Sequence, residues 1–279
     1  MTWRDSAKWF VAAAIALLLL VSRNWTRAAS GSPPALISKS SVVQLPVAFI
    51  EQGGNNREKL AISAGAEDEL PDGPASFDIT ADGSFVIADR LKRRLVLYND
   101  RGEFVRDIPL DFTPADVWVT ASGAVCLESS AGHAFRANAN GSVGAIEELP
   151  PAPPLNSAIL VGPHQGFLTG VTPSSQESAG VTVRFDGGRM VSIETIGYDS
   201  GRNIYAALET AVGSSEVDTG KILRKYRGDG SLAAEIRDVP VDYYVAPLRE
   251  FRLRGQKIYQ MVTGDAQVSI NVWDTGSAR

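Results

Sequence analysis

Hydrophobic residues in most of this chain occur in short runs that are separated by turn residues. From residue 57 onward, the runs are five to eight residues long and rich in Val, Ile, Leu, Phe and Tyr, and no apolar stripe of helical period extends over twelve residues. Short apolar runs that end in Gly, Asp or Asn are typical of β-strands and the turns between them. The pattern therefore predicts an all-β fold.

One stretch, residues 73–110, shows the repeating unit most clearly. It divides into four predicted strands, which are Ser76–Thr80, Ser84–Ala88, Arg94–Tyr98 and Glu103–Leu110. Tight turns are predicted at Gly83 and Gly102, because glycine adopts a positive φ without the steric cost of a Cβ atom.

Turn glycines recur along the whole chain in two alternating series, with an average spacing of about 43 residues within a series. The first series precedes an apolar strand and consists of Gly83, Gly123, Gly166, Gly201 and Gly255. The second marks an outer hairpin and consists of Gly102, Gly141, Gly188, Gly230 and Gly276. This period matches the blade of a β-propeller, whereas a β-sandwich, the alternative all-β fold, has no such repeat. We predict about five four-stranded blades, or six if residues 42–63 contribute to a further blade.

The fifth unit has only three predicted strands before the sequence reaches Gly276. A blade without its outer strand would leave an unpaired edge, so we expect an N-terminal strand to close the ring. The segment Arg57–Ser63 immediately precedes the first unit, and we predict that it pairs beside the strand ending at Trp273. Val42–Ile50, which contains Pro46, would then be an additional edge strand or a packed arm.

The N-terminal part of the chain has the features of an export signal. Arg4 and Lys8 precede an uninterrupted apolar run of 13 residues, Trp9–Val21, and small residues follow it. The run has the length of a secretory h-region and is shorter than a typical transmembrane helix. We therefore expect residues 1–30 to be a signal peptide or a retained N-terminal membrane anchor, residues 31–56 a linker with a short edge strand, and residues 57–279 the propeller.

Residues 86–102 resemble the core of NHL-repeat propellers, in which an Ala-Asp pair is followed by an arginine, a strand, a polar turn and a glycine. Asp89 and Arg94 fall on the aspartate and arginine of that pattern, and Lys92 stands in the place of its usual asparagine. The resemblance implies a propeller fold, and members of the family act as protein-binding platforms, RNA-binding modules or lyases. A carboxylate and an arginine at these positions are expected to pair and to fix the blade geometry.

The composition argues against several classes of binding site. A net charge of −5 argues against nucleic-acid binding, and a single cysteine excludes intrachain disulfides and zinc sites built on cysteine pairs. The spacing of carboxylates and histidines selects no metal site, and we predict no cofactor. The weak candidates for binding residues are Arg90, Lys92, Arg93, His133 and His164.

These observations favour an exported, non-catalytic binding scaffold that recognises a protein or glycan partner in the cell envelope through loops on the propeller rim. It would be periplasmic or secreted, or tethered to the inner membrane through residues 9–21. The alternative from another class is an extracytoplasmic propeller lyase or lactonase with a metal-assisted site at the central axis. The sequence leaves the question of enzymatic activity open.

Overall fold

The computed structural model describes residues 34–49, 56–66, 68–138, 141–146, 158–162, 165–171, 178–212 and 218–276. Contacts between Cα atoms divide the chain into two units, Met1–Pro34 and Ala35–Arg279. Nearly all of the first unit, including the predicted signal or anchor, lies outside the described residues. Across the described residues, no helix has the length and apolar character needed to cross a membrane.

The described part of the second unit forms 21 strands in five sheets, which are the blades of a β-propeller. The first blade consists of β4 (Ser76–Ile79), β5 (Phe85–Asp89), β6 (Arg94–Tyr98) and β7 (Phe104–Pro109). The second consists of β8 (Pro114–Val119), β9 (Val125–Ser129), β10 (Ala134–Ala137) and β11 (Val143–Ala145). Each is an antiparallel meander in chain order, as the alternating pattern of the sequence predicts.

The other three sheets depart from four strands. The third blade contains β12 (Ala158–Gly162), β13 (Gln165–Val171) and β14 (Ser178–Arg184). The fourth contains β15 (Arg189–Tyr198), β16 (Ile204–Val212), β17 (Asp218–Tyr226) and β18 (Leu232–Val239), followed by the short parallel strand β1 (Ala35–Leu36). The fifth contains β19 (Phe251–Arg254), β20 (Lys257–Thr263), β21 (Gln267–Asp274), β2 (Ser41–Phe49) and β3 (Leu60–Ile62).

An N-terminal strand closes the ring, but it is not the predicted one. β2 pairs antiparallel with β21, from Ser41 opposite Val272 to Pro46 opposite Gln267. The prediction that Arg57–Ser63 takes this place was wrong, because only its short centre, β3, is a strand, and β3 pairs in parallel with the far side of β2. The longer segment offers twice the length of ladder to the exposed edge of β21.

Pro46 lies at the point where β2 changes partners. Residues 41–46 pair with β21, and Val47–Phe49 pair with β3. Since proline has no backbone N–H to give to a ladder, it is tolerated where one pairing ends and the next begins. The proline thus separates two half-strands, each with one hydrogen-bonded neighbour.

Apolar side chains between neighbouring blades form the core. One cluster joins the fifth blade to the first and includes Leu45, Phe77 and Ile270. Other clusters join the first blade to the second, the third to the fourth and the fourth to the fifth. Large buried side chains such as Trp118 and Trp273 contribute most to such face-to-face packing of sheets.

Candidate functional site

The innermost strands of three blades meet at an ionic cluster that we call the axial network. It consists of Ser76 and Asp78 on β4, Asp116 on β8, Arg249 just before β19, and Arg252 and Arg254 on β19. An innermost strand has a neighbour on one side only, so every second backbone N–H and C=O group along it lacks a sheet partner. The side chains of the axial network supply the missing partners.

Arg252 bridges the edges of the first two blades. Its Nε atom donates to the carbonyl oxygen of Phe77 at 2.6 Å, and its Nη2 atom donates to the carbonyl oxygen of Val117 at 2.8 Å. The same Nη2 atom lies 3.1 Å from Oδ1 of Asp116 and 3.1 Å from Oγ of Ser76. Burial lowers the pKa of this guanidinium, and the carboxylates of Asp78 and Asp116 oppose that effect.

Arg254 repeats the arrangement two residues further along β19. It donates from Nε to the carbonyl oxygen of Ile79 at 2.9 Å and from Nη2 to the carbonyl oxygen of Val119 at 2.8 Å. Nη2 also donates to Oδ2 of Asp78 at 2.7 Å, and that oxygen accepts the backbone N–H of Val119 at 2.7 Å. A two-residue spacing places both arginines on one side of the strand, so they meet successive carbonyl groups.

Both carboxylates of the axial network are fully engaged. Asp116 accepts from Arg249, Arg252, the Ser76 hydroxyl and its neighbouring backbone N–H, that of Val117. Asp78, in turn, binds Arg254 and the backbone N–H groups of Ile79 and Val119. Such an arrangement holds three blades together, and each oxygen of both carboxylates accepts at least one hydrogen bond.

A cavity of about 250 Å³ lies beside the axial network, between the fourth and fifth blades. Glu250 lines it and accepts hydrogen bonds from Lys221, the hydroxyl of Tyr243 and Nε2 of Gln260. Burial and the hydrogen bond to Glu250 raise the pKa of Tyr243, which keeps the phenol protonated. Glu209 also lines the cavity, and its carboxylate accepts from Ser192 at 3.0 Å.

Glu194 on β15 is the perturbed carboxyl group of this region. Burial raises its pKa, and the neighbouring charge of Glu250 raises it further. Lys221, Arg249 and Arg252 lower it by smaller amounts. Acidic and basic side chains in this region therefore have opposite effects on the pKa of Glu194.

The two residues of the NHL-like pattern form a buried ion pair. Nε of Arg94 donates to Oδ2 of Asp89 at 2.9 Å, and the backbone N–H of Lys92 lies 3.4 Å from the other oxygen. Nη1 of Arg94 also donates to Oδ2 of Asp107 on β7 at 3.1 Å. Hydrogen bonds from Arg57 and Arg94 hold the pKa of Asp107 below its usual range. This pair stabilises the first blade and its contact with the segment before β3.

The remaining basic candidates do not converge on one site. Arg90 lies 3.5 Å from the carboxylate of Asp72, and Nζ of Lys92 donates to the carbonyl oxygen of Asn56 at 3.0 Å. Arg93 is exposed and adopts a φ of 47° in the turn. Two of the three cations are thus engaged with the loops around the first blade.

The structure describes one of the two histidines. His133 is exposed in the turn between β9 and β10, where its backbone N–H donates to the hydroxyl of Ser129 at 3.1 Å. His164 lies outside the described residues. Within the described part of the chain, His, Cys, Asp and Glu side chains form no group of three that could hold a metal ion.

The predicted turn glycines occupy several kinds of position. A positive φ occurs at seven of them, which are Gly83, Gly102, Gly123, Gly141, Gly188, Gly230 and Gly255. Gly166 lies within β13, opposite Leu160 and Val183. At the turn that contains Gly201, the residue with a positive φ is Arg202, at 60°. Gly188 lies in the connection from the third blade to the fourth and not in an outer hairpin, because β15 pairs with β16. The place of Gly276 is after β21, where its N–H donates to Asp274.

The axial network was not among the residues that the sequence singled out. Its only local signal is alternation, as in Ser76 and Asp78 or Arg252 and Arg254, with apolar residues between them. The same alternation is typical of a strand with one face in water. Only the fold reveals that these particular charges are buried together.

No protein-family model matches the chain, and no curated protein matches it in sequence. Several solved structures resemble it. A gluconolactonase from Xanthomonas campestris has 11% identity and a TM-score of 0.37, with 88% of this chain and 99% of that chain covered. BamB from Moraxella catarrhalis has 10% identity and a TM-score of 0.35, with 85% and 99% covered.

Regucalcin from Agrobacterium tumefaciens, described as a calcium-binding protein, has 10% identity and a TM-score of 0.35, with 87% of this chain and 97% of that chain covered. The assignment of a propeller to the present chain comes from its own five sheets and from their closure by β2.

Proposed function

We propose that this protein is an exported, non-catalytic β-propeller that binds a protein partner through the rim loops preceding its innermost strands. The observation that carries the proposal is the saturated axial network. Both of its carboxylates are held by arginines and by backbone N–H groups. A metal-assisted lyase or lactonase at the axis would need free ligands there.

The rim at this end of the propeller exposes apolar side chains. Leu70 lies in the loop that leads to β4 and is 89% exposed, and Leu248 lies in the segment that leads to β19 and is 64% exposed. The backbone N–H of Leu248 donates to the carbonyl oxygen of Ala75 at 2.7 Å, which ties the two loops together. Exposed leucines on anchored loops suit a protein partner better than a glycan, which polar and aromatic groups recognise.

The export of the protein rests on the N-terminal sequence. The N-terminus has the three parts of a signal peptide for a periplasmic or secreted protein: basic residues, an apolar run of 13 residues and a region of small residues. Retention of the apolar run would instead tether the propeller to the inner membrane. Cell fractionation, with mass measurement of the mature N-terminus, distinguishes a cleaved signal from a retained anchor.

Site-specific photo-crosslinking in cells tests the binding proposal. The photoreactive residue is placed at Leu70 or Leu248, with Val105 on the outer strand β7, 54% exposed, as the matched apolar control. We expect one adduct of the same mass at both rim positions, from which digestion releases peptides of a second protein, and no adduct at Val105. No adduct at either rim position, an adduct with a glycan and no second polypeptide, or equal labelling at Val105 would overturn it.

Purified protein provides the test against an enzyme. A stoichiometric divalent ion together with lactone hydrolysis that a chelator abolishes would favour the lyase or lactonase alternative. The scaffold proposal expects neither property.

A further inference from the structure

A second and larger cavity lies on the side of the fourth blade that faces the third. It has a volume of about 460 Å³ and is bounded by β16, β17 and β18 and by the segment that joins β14 to β15. Leu168 and Val183 of the third blade pack with Ala206 and Tyr226 of the fourth in the apolar core at this interface. The cavity is therefore a built feature of the interface between these blades.

Cationic side chains dominate the lining of this cavity. Four of them are Arg184, Lys221, Arg224 and Arg237, against one acidic residue, Asp186. Two further carboxylates lie behind the cations, because Glu235 pairs with Arg224 and Arg237, and Glu250 pairs with Lys221. The lining itself therefore carries more basic than acidic side chains.

Arg224 is fixed in place before any ligand arrives. Its Nε atom donates to Oε2 of Glu235 at 2.7 Å, and its Nη1 atom donates to the carbonyl oxygen of Arg184 at 2.6 Å. The ring of Phe185 lies over the guanidinium, with its centroid 5.5 Å from Cζ. A buried cation held in this way loses little side-chain entropy when it binds an anion.

Arg237 completes the arrangement from the neighbouring strand. Its Nε atom donates to Oε1 of Glu235 at 2.6 Å, so each oxygen of that carboxylate binds one arginine. The two arginines hold the pKa of Glu235 below its usual range although burial acts in the opposite direction. The side chain of Arg237 is 69% exposed, so the outer part of its guanidinium is in contact with solvent at the cavity.

We propose that this cavity binds the phosphate group of a phosphate monoester. Arginines from three strands, β14, β17 and β18, line it together with Lys221, and a tetrahedral oxyanion can accept from several such donors at once. A carboxylate is served by a single arginine fork, so it would gain less from this lining. The site is separate from the rim leucines and does not depend on the proposed protein partner.

Titration calorimetry at constant ionic strength tests the proposal, with inorganic phosphate and glucose 6-phosphate as probes and acetate as the carboxylate control. We expect saturable binding of both phosphate probes at concentrations up to about 10 mM, and weaker or no binding of acetate. The substitution Arg237→Gln should weaken phosphate binding about tenfold, the usual effect of losing one charge-assisted hydrogen bond.

Arg227→Gln is the matched control, because Arg227 is an exposed arginine of the same blade that does not line the cavity. Thermal unfolding of both variants verifies that they fold. Arg184→Gln, a second substitution in the cavity lining, should also weaken phosphate binding. The proposal is overturned if neither phosphate probe binds, if acetate binds equally well, or if the Arg227 variant loses as much affinity as the Arg237 variant.

Vesicle sedimentation distinguishes the sources of the phosphate group. Binding to phosphatidic acid vesicles that Arg237→Gln weakens, with none to phosphatidylcholine vesicles, would identify a lipid headgroup. Binding of glucose 6-phosphate without sedimentation would identify a soluble phosphate ester. Either result supports a phosphate site.

Discussion

The guanidinium of Arg252 in the fifth blade donates to the carboxylate of Asp116 in the second blade, across 136 positions of sequence and a distance of 3.1 Å. The first blade lies between them in the ring, and the same arginine donates to its edge at Phe77. A single side chain therefore connects the innermost strands of three blades. Such a contact can form only when the fifth blade has packed beside the first two.

Replacing Arg252 with methionine should destabilise the protein by about 3–5 kcal/mol. The substitution keeps much of the side-chain volume but removes one arginine from Asp116 and one donor from each of the carbonyl groups of Phe77 and Val117. Denaturant unfolding measures the change. Arg227→Met, on the surface, should change stability by less than about 0.5 kcal/mol, and an equally small effect at Arg252 would show that the network contributes little.

Two glycines at equivalent positions in the first and second blades test whether β2 packs against the first blade. Gly102 and Gly141 occupy the outer hairpins of the first and second blades with φ of 82° and 86°. A Cβ atom at Gly141 would meet nothing within 4 Å, whereas one at Gly102 would lie 2.7 Å from the carbonyl oxygen of Gln44 on β2. Gly141→Ala should therefore cost about 1–2 kcal/mol from backbone strain alone.

Gly102→Ala should cost about 1–3 kcal/mol more, because β2 has to move away from the added methyl group. Thermal or denaturant unfolding of the two variants gives the difference directly. Equal losses would mean that β2 does not pack against the outer turn of the first blade.

The first blade could be predicted from sequence because its determinants are local. Gly83 and Gly102 specify its turns, and Asp89 and Arg94, which form its ion pair, are five residues apart. The number of sheets also followed from the glycine repeat. The turns and the ion pair of the first blade depend on residues that are close together in the chain.

The closing strand and the axial network depend on contacts that are distant in sequence. Both Val42–Ile50 and Arg57–Ser63 have the composition of a strand, and only their competition for the edge of β21 decides which one pairs there. Arg252 and Arg254 follow the same polar alternation as a solvent-facing strand. Their partners lie on other blades, so the sequence gives no indication that they are buried.

Glu194→Gln should stabilise the protein at high pH. The pKa of Glu194 is raised in the folded state above the ordinary value of 4.5, so its ionised form opposes folding when the pH exceeds the raised pKa. Below 4.5 the carboxyl group is protonated in both states, and the effect disappears. We expect the variant to be more stable than the natural protein at pH 8 and equally stable near pH 4.

Denaturant midpoints across that pH range measure the difference. Glu69→Gln, on an exposed loop, is the control for simple loss of a negative charge. A gain at Glu194 that persists unchanged to pH 4 would point to packing rather than to titration.

Removing the strand β2 should open the ring even when the segment Arg57–Ser63 remains in the chain. A chain that starts at Pro34 keeps β2, whereas one that starts at Asn56 retains Arg57–Ser63 but exposes the edge of β21. The shorter chain also loses Leu45, which is completely buried in the cluster between the fifth and first blades. Loss of a buried leucine side chain alone costs about 2–5 kcal/mol.

A synthetic peptide of residues 34–49 provides the decisive complement. We expect it to restore cooperative thermal unfolding to the shorter chain, because it can add to the open edge as a separate strand. The same peptide with Leu45→Asp should fail, since it would bring a charge into the apolar cluster. If the shorter chain unfolds at the same temperature as the longer one without peptide, another segment closes the ring and the role of β2 is refuted.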